Sequence, residues 1–200
     1  MLTIAGPDGS GKSSLCDAIM SAAATEGRAV RRIHHRFGLL PGRHGANTNP
    51  ATPHAQRPYP PGLSEGKLLY LLLEWLVGWV LQAQPFLSRG GCLLIERGWW
   101  DLAVDPRRYR LRGRPRLVRW LGFLVPRSDV LVVLEGPTSL LASRKHECSE
   151  AELDRQRQAW HEVVPPRVRT YYLDAALSLE EAVQETSAAL ERLTVTEPTT

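Results

Sequence analysis

Short apolar runs alternate along this chain with segments in which apolar residues recur every three or four positions. An uninterrupted apolar run is typical of a strand buried in a parallel sheet, and the longer period is typical of a helix. The five predicted strands cover residues 2–5, 29–33, 92–95, 129–134 and 170–173. Because helical segments separate them, the pattern predicts an α/β fold: a doubly wound parallel sheet of about five strands, flanked by helices on both faces.

The helical segments have recognisable boundaries. The predicted helices cover residues 13–25, 64–87, 115–124, 138–142 and 150–164, and a last helix starts after Ser178. Ser178 and Glu181 stand three residues apart and predict a capping box at that start. We predict a single domain over residues 1–193, followed by a polar tail over 194–200.

The segment 34–63 shows neither period and is rich in proline and glycine. A loop of this length inside a compact domain is usually functional or disordered, and we predict that it lies on the substrate side. Its histidines match no common metal-ligand spacing, so no metal site is predicted there. Arg36 directly follows the second strand, and open α/β sheets bind ligands outside the carboxyl ends of their strands. Arg36 is therefore a candidate acceptor-binding residue.

The predicted helix 64–87 is apolar almost all round in its middle. This middle part, residues 68–81, is fourteen residues long and contains Glu74 and Gly78. A membrane span needs about 20 apolar residues, so the pattern favours a buried helix over insertion into a membrane. Whether the helix packs within one subunit or forms a seam between two subunits stays open.

Charge and cysteine content narrow the classes of partner. The net charge of +4 comes mostly from arginine and suits an anionic ligand. Seven arginines fall within residues 107–119. Such a run forms a solvated face, or one or two of its members contact phosphate or substrate; no nucleic-acid module accompanies it, so nucleic acid is not predicted as a partner. The three cysteines show no CxxC spacing and the N-terminus lacks the pattern of a signal peptide, so we expect a cytoplasmic protein.

The first strand leads directly into a glycine-rich loop with the pattern GxxxxGKS, residues 6–13. A strand, a glycine turn and a helix in this order are the context of a phosphate-binding loop. Glycines let backbone N–H groups approach a triphosphate, and the helix N-terminus presents its positive end to the anion. The predicted ATP-binding residues are Gly6, Asp8, Gly9, Ser10, Gly11, Lys12, Ser13 and Ser14. Lys12 is expected to reach the β- and γ-phosphates, and the Ser13 hydroxyl is expected to bind Mg²⁺.

A second cluster of candidate residues follows the predicted strand 92–95. Glu96 stands at the strand tip, where P-loop enzymes hold Mg²⁺ or its waters, so it is a candidate metal ligand; an exposed polar strand end is the alternative. Arg97 is a candidate to clamp an acceptor phosphate, together with Arg36. Trp99 and Trp100 are candidates to stack on an acceptor ring, with the hydrophobic core as the alternative.

With these motifs in place, the chain resembles the thymidylate kinase-like members of the nucleoside-monophosphate kinase family. The resemblance rests on four landmarks: the loop 6–13, the sequence Ile95-Glu96-Arg97-Gly98, residues 134–147, and residues 172–175 with the closing helix. Two features depart from true thymidylate kinases. Their Arg-Glu-Pro-Gly signature is replaced by residues 34–42, and Glu96 stands in place of the usual aspartate. The resemblance therefore implies the fold and the phosphoryl chemistry, and it leaves the acceptor open.

The family also implies roles for individual residues. The implied catalytic residues are Lys12, Glu96, Arg97 and Arg144. Arg144 belongs to an implied lid over about residues 143–158, from which it would close onto the transferring group. Asp8 matches the family's acid that faces the acceptor and binds its sugar hydroxyl. The family further implies ATP and Mg²⁺ as cofactors and a homodimer through the helix 64–87.

Two further lid arginines have competing interpretations. Arg155 or Arg157 would assist Arg144 at the phosphates, or would pair along their own helix with Glu152 and Asp154. Both interpretations stay open at the level of sequence.

Three functions remain. The first is an ATP-dependent kinase of a nucleoside monophosphate such as dTMP, or of a related phosphorylated small molecule. The second is a P-loop kinase of a non-nucleotide acceptor, a sugar or a biosynthetic intermediate. The third is a nucleotide-binding regulator without turnover.

Overall fold

A computed structural model of the chain describes residues 1–39, 57–144 and 148–195, with the backbone alone for 193–195. The strands are β1 Leu2–Ala5, β2 Val30–His34, β3 Cys92–Glu96, β4 Val130–Glu135 and β5 Thr170–Asp174. The α-helices are α1 Lys12–Thr25, α2 Leu63–Gly78, α3 Gln84–Leu87, α4 Asp101–Val104, α5 Pro115–Leu121, α6 Thr138–Arg144, α7 Glu150–Val163 and α8 Leu179–Val195. A π-helical turn at Trp79–Ala83 joins α2 to α3, and a 3₁₀ turn lies at Arg107–Tyr109.

The five strands form one sheet in the order β2-β3-β1-β4-β5, and every neighbouring pair is parallel. This confirms the predicted α/β class and the five-stranded parallel sheet. Ile4 pairs with Glu96, His34 pairs with Glu96, and Glu135 pairs with Asp174. The carboxyl ends of all five strands therefore meet at one edge of the sheet, beside the loop 6–13.

Helices cover both faces of the sheet, as its alternating side chains require. Leu2, Ile4 and Val132 point to the face covered by α1 and α8. Ala5, Ile95 and Val133 point to the other face, where α2, α4, α5 and α7 supply the apolar partners. The three central strands β1, β3 and β4 are buried on both sides, which explains why they read as continuous apolar runs instead of alternating ones.

The apolar helix is continuous from Leu63 to Leu87, and it is long and apolar enough to cross a membrane by length and composition alone. Leu68, Leu71 and Trp75 of α2 are nevertheless buried against the sheet. Glu74 is fully buried and accepts a hydrogen bond from the Leu39 N–H at 2.8 Å. One face of α2 therefore packs in the core, as a core helix does.

Several predicted boundaries need correction or lie outside the described residues. The helix predicted over 115–124 ends at Leu121, because Gly122 closes it and the chain turns. The capping box at Ser178 is confirmed: its hydroxyl and N–H both donate to Glu181 Oε2. The predicted tail overlaps the end of α8. Residues 40–56 of the loop 34–63, 145–147 of the lid and 196–200 of the tail lie outside the described part of the chain.

Candidate functional site

The loop 6–13 connects β1 to α1, and its glycines adopt conformations that other residues resist. Gly6, Gly9 and Gly11 have φ angles of 138°, 80° and 87°. A Cβ at Gly6 would lie 2.3 Å from the carbonyl oxygen of Leu134, and one at Gly9 would lie 2.4 Å from that of Leu141. The glycines therefore let the loop pack tightly against the end of β4 and against α6. The first helical bond of α1 runs from the Leu15 N–H to the Gly11 oxygen, so the amides before it belong to an open helix N-terminus.

Mutation can separate the left-handed backbone of the loop glycines from their packing against α6. We expect Gly9→Ala to lower the free energy of unfolding by about 2–4 kcal/mol, because it combines a left-handed backbone with a clash against Leu141. Gly11→Ala is the matched control, since nothing lies within 4 Å of the added Cβ, and it should cost about 1–2 kcal/mol. Urea unfolding followed by circular dichroism measures both. Equal losses in the two variants would contradict the packing of α6 against the loop.

Lys12 lies at the centre of this loop. Its ammonium group donates to the carbonyl oxygens of Gly6 at 2.9 Å and Pro7 at 2.5 Å, and to Ser10 Oγ at 3.3 Å. Burial lowers the pKa of Lys12 and the Arg97 guanidinium lowers it further, while the Asp8 and Asp101 carboxylates oppose both effects. A cation held by three weak acceptors is well placed to bind a stronger anionic one.

The side-chain oxygens of Ser13 and Glu96 lie close together between the first turn of α1 and the tip of β3. The Ser13 hydroxyl donates to Glu96 Oε1 at 2.6 Å, and Ser14 beside it is exposed. Arg32, on the neighbouring strand β2, holds the other Glu96 oxygen with its Nε at 3.1 Å and with Nη2. Burial raises the pKa of Glu96, but the Ser13 and Arg32 hydrogen bonds outweigh it and hold the pKa below its ordinary value. Glu96 is thus a fixed, ionised carboxylate.

The Ser13–Glu96 pair has the chemistry of a divalent-cation site. A hydroxyl and a carboxylate are hard oxygen ligands of the kind that Mg²⁺ prefers. Within the described residues, no group of three or more histidine, cysteine, aspartate or glutamate side chains forms a metal cage. A metal bound at Ser13 and Glu96 would therefore take its other ligands from phosphate and water, which is the usual manner of Mg²⁺.

Arg97 adopts a left-handed backbone, with φ at 61°, directly after the strand tip. Its N–H still bonds to the Ile4 oxygen of β1 at 3.0 Å, and its Nη2 donates to Asp8 Oδ1 at 2.6 Å. Arg108 donates to the second oxygen of the same carboxylate. Burial raises the pKa of Asp8, but Arg97, Lys12 and Arg108 together hold it far below its ordinary value. Asp8 therefore joins the loop to two buried arginines.

Beyond Arg97 lies a group of buried polar atoms with unmet hydrogen-bonding capacity. Asp101 Oδ2, His35 Nδ1 and Tyr109 Oη have no hydrogen-bond partner among the described residues. The His35 ring stacks on Tyr109 with centroids 4.3 Å apart, and Asp101 Oδ1 lies 4.0 Å from Arg97 Nη1. Burial raises the pKa of Asp101, which Arg97 and Lys12 oppose. These buried atoms lie in the same charged region as Asp8, and their hydrogen-bonding capacity is unmet within the described residues.

The remaining predicted site residues fall in different places. Arg36 lies at the carboxyl edge of the sheet. Burial lowers the pKa of His35, and Arg36 is one of the cations that lower it further. Arg144 ends α6 and donates to the Ala175 oxygen at 2.8 Å, so its guanidinium contacts the β5–α8 connection in this structure. Trp99 and Trp100 are only 3% and 9% exposed and belong to the hydrophobic core.

Trp99 and Trp100 lie in the hydrophobic core, which is the alternative to stacking on an acceptor ring. Trp99 donates its indole N–H to the Val118 oxygen at 2.9 Å, and Trp100 packs against Gly122. Both side chains are buried in the hydrophobic core, so they are core aromatics. Intrahelical pairing also holds for the lid arginines: Arg155 bonds to Glu152 and Arg157 to Asp154.

Sequence reasoning missed Arg32, and it left Arg108 undistinguished within the arginine run. Arg32 pairs with Leu94 in the β2–β3 ladder, two positions before Glu96, and a single sequence does not reveal this register. Arg108 is one of seven arginines in residues 107–119, and only its contact with Asp8 separates it from the others.

No family model matches this chain, and no curated protein matches it. Any function therefore has to be argued from the residues and their geometry.

Proposed function

We propose that this protein is an ATP-dependent phosphotransferase that moves the γ-phosphoryl group of Mg-ATP to a small-molecule acceptor. One observation carries the proposal: Lys12 and Ser13 begin α1, and the Ser13 hydroxyl lies 2.6 Å from a carboxylate oxygen of Glu96 at the tip of a neighbouring strand. The proposal includes the fold family: the sheet and helices would form a P-loop fold of the nucleoside-monophosphate kinase type. The resemblance to thymidylate kinase-like proteins supports it.

The chain's own groups would divide the work on the donor side. The amides of the loop 6–13 and the Lys12 ammonium would bind the β- and γ-phosphates and neutralise charge that develops on them. Ser13 and Glu96 would hold Mg²⁺, with Arg32 fixing the Glu96 carboxylate. When bound, the metal neutralises phosphate charge.

On the acceptor side, Asp8, Arg97 and Arg108 form the nearest charged cluster. Arg97 and Arg108 would orient the acceptor, so that its oxygen forms a bond to the γ-phosphorus while the bond to the β-bridging oxygen breaks and ADP leaves. Positioning of the two reactants is the main catalytic requirement of such a reaction. Arg144 would join only if its contact with Ala175 were exchanged for one with phosphate.

A second candidate, a kinase whose acceptor is an unphosphorylated hydroxyl compound, is favoured by a specific observation. Arg97 and Arg108 each donate to the Asp8 carboxylate, which already offsets part of the positive charge that an acceptor phosphate would need. Nearby, the Asp101 Oδ2 atom is buried without a hydrogen-bond partner among the described residues. A carboxylate in this position is suited to accept the proton of an attacking hydroxyl, which a phosphate acceptor does not require.

A coupled ADP-release assay tests these alternatives. The acceptor panel comprises dTMP, dUMP, other nucleoside monophosphates, unphosphorylated nucleosides and simple sugars. Turnover with monophosphates alone supports the first candidate, and turnover with hydroxyl compounds alone supports the second. Tight binding of Mg-ATP with no turnover over the whole panel would instead indicate a nucleotide-binding regulator. Absence of Mg-ATP binding would contradict the proposal.

Asp101→Asn distinguishes the two kinase candidates. With a hydroxyl acceptor we expect kcat to fall about 10²-fold, because the amide cannot take the proton. The wild-type rate should rise with pH as Asp101 loses its proton, and this rising limb should be absent in the variant. With a monophosphate acceptor the pH profile should be the same in both proteins. Asp174→Asn is the matched control, because within the described residues this exposed carboxylate only accepts the Ala176 N–H, which the amide oxygen of asparagine can also accept.

We further propose a cytoplasmic homodimer, as the family resemblance implies. The outer face of α2 and the π-helical turn exposes Leu69, Leu73, Val80 and Leu81 in one stripe. A second copy packed on this stripe would remove it from water. We expect Leu73→Glu to shift the protein from dimer to monomer in light scattering after gel filtration, while Leu179→Glu, on α8, leaves the dimer intact. A wild-type protein that is monomeric at all concentrations would contradict the dimer.

A further inference from the structure

We call residues 116–127 the knuckle. It comprises α5 without its first residue and the turn that follows the helix. Its tip exposes three large apolar side chains, Trp120, Phe123 and Leu124, which are 65%, 62% and 55% exposed. They lie within five consecutive residues, at the end of α5 and in the turn that follows it. Clusters of exposed apolar side chains of this kind mark interaction sites more often than single exposed residues do.

The backbone holds this tip in a fixed position. The Gly122 N–H bonds to the Val118 oxygen at 2.8 Å, and the Leu124 N–H bonds to the Leu121 oxygen at 2.9 Å. A Cβ at Gly122 would lie 2.6 Å from the Trp100 ring, so the turn is pressed against the core. Leu121, between Trp120 and Phe123, and Val125, directly after Leu124, are buried. The exposure of the tip is therefore built into the fold, because its neighbours in sequence occupy the interior.

Cations outnumber carboxylates in the sequence around the tip, which Asp105 and Asp129 flank. Residues 106–128 contain eight arginines and no aspartate or glutamate. Arg116, Arg119 and Arg127 are exposed. None of their guanidinium groups has a hydrogen bond or ion pair with another residue that the structure describes. Other arginines of the run do have such partners, for example Arg114 with Glu65.

One further cation belongs to this surface. The Arg167 guanidinium lies over the Phe123 ring, 3.5 Å from its centroid. Burial lowers the pKa of Arg167, and the nearby Arg127 lowers it further, which is the effect of two like charges held close together. An anion between them would relieve this repulsion.

We propose that the knuckle is a docking site for the surface of an anionic membrane. A tryptophan, a phenylalanine and a leucine at one convex tip suit insertion into the boundary between headgroups and acyl chains. The flanking arginines suit the negative potential of anionic lipids. The contact would be peripheral, through the tip of a turn, and no helix would cross the membrane. It does not depend on the proposed phosphoryl transfer.

Two other partners fit the knuckle less well. A second copy of the chain, related by a two-fold axis through the knuckle, would bring the arginines of both copies together. Single-stranded nucleic acid would use the arginines and stack on Trp120, but it offers nothing to the exposed Leu124. The combination of charge and aliphatic surface therefore favours lipid.

Co-sedimentation with vesicles tests the proposal. Vesicles of phosphatidylcholine alone are compared with vesicles that contain about 30% phosphatidylglycerol. We expect the wild-type protein to sediment with the anionic vesicles and to be released by high salt. Trp120→Ser/Phe123→Ser should weaken this binding about tenfold, because it removes the inserting side chains. Arg116→Ser/Arg119→Ser should abolish the preference for anionic over neutral vesicles.

Arg28→Ser/Leu179→Ser is the matched control, because it removes one exposed cation and one exposed apolar side chain from other parts of the surface. It should bind like the wild type, and thermal unfolding verifies that all variants fold. The proposal is overturned if the wild-type protein does not bind anionic vesicles, or if the knuckle variants bind as well as the control. It is also overturned if the knuckle substitutions abolish binding to a poly-dT oligonucleotide or a self-association while vesicle binding persists.

Discussion

Lys12→Met is expected to lower kcat for phosphoryl transfer from Mg-ATP by about 10²–10³-fold. The ammonium group of Lys12 is the one lysine cation that the structure places inside the loop 6–13, held by the carbonyl oxygens of Gly6 and Pro7. Methionine matches the length of the side chain and removes the charge. ATP should also cease to raise the melting temperature of the variant, because the affinity for its phosphates falls.

The control for Lys12→Met is Arg28→Met, which removes an exposed cation paired only with Glu26 in the described structure. It should retain wild-type kcat and the stabilisation by ATP. Circular dichroism of both variants verifies the fold, since Lys12→Met also leaves the Gly6 and Pro7 oxygens without their donor. Wild-type turnover by Lys12→Met would show that the activity does not depend on the lysine of this loop.

Glu96→Gln is expected to lower kcat by about 10²-fold and to raise the free Mg²⁺ concentration that gives half-maximal rate. The amide has the same shape as the carboxylate and can still accept the Ser13 hydrogen bond, but it carries no charge for a metal. Because Arg32 then keeps only Asp17 of its two ionised partners, a modest drop in melting temperature is also expected. Titration of Mg²⁺ at fixed ATP measures the effect.

Glu135→Gln is the matched control for Glu96→Gln. Glu135 ends β4 at the same edge of the sheet, and its carboxylate contacts His161 at 2.9 Å instead of Ser13. Its substitution should leave the Mg²⁺ dependence unchanged. Identical Mg²⁺ curves for wild type and Glu96→Gln would show that the metal is bound elsewhere.

The sheet could be predicted from sequence because its strands carry a local signal. β1, β3 and β4 are buried on both faces, and their short apolar runs, bounded by glycine and charged residues, are typical of such strands. The helix start at Ser178 was equally local, since the capping box lies within four residues. Where the signal was weaker, the boundaries moved, as at Leu121, where a glycine with a role in packing ended the helix early.

The candidate site divides in the same way. The loop 6–13 and the tip of β3 are contiguous motifs, and they were recognised as such. The partners of Asp8 and Glu96 come from residues far away in the chain: Arg97 and Arg108 reach Asp8, and Arg32 reaches Glu96. Trp99 and Trp100 looked equally suited to a ligand or to the core, and only packing against Val118 and Gly122 decided for the core.

The sequence by itself determined the order of strands and helices, the glycine loop after β1 and the carboxylate at the end of β3, because each depends on neighbours along the chain. Only the tertiary structure decided that Ser13 meets Glu96, that Asp8 is shared by two arginines and that Asp101 keeps a buried oxygen without a partner in the described residues. Those features depend on distances between residues many positions apart. Their formation follows from the burial of the whole sheet, which no short stretch of sequence encodes.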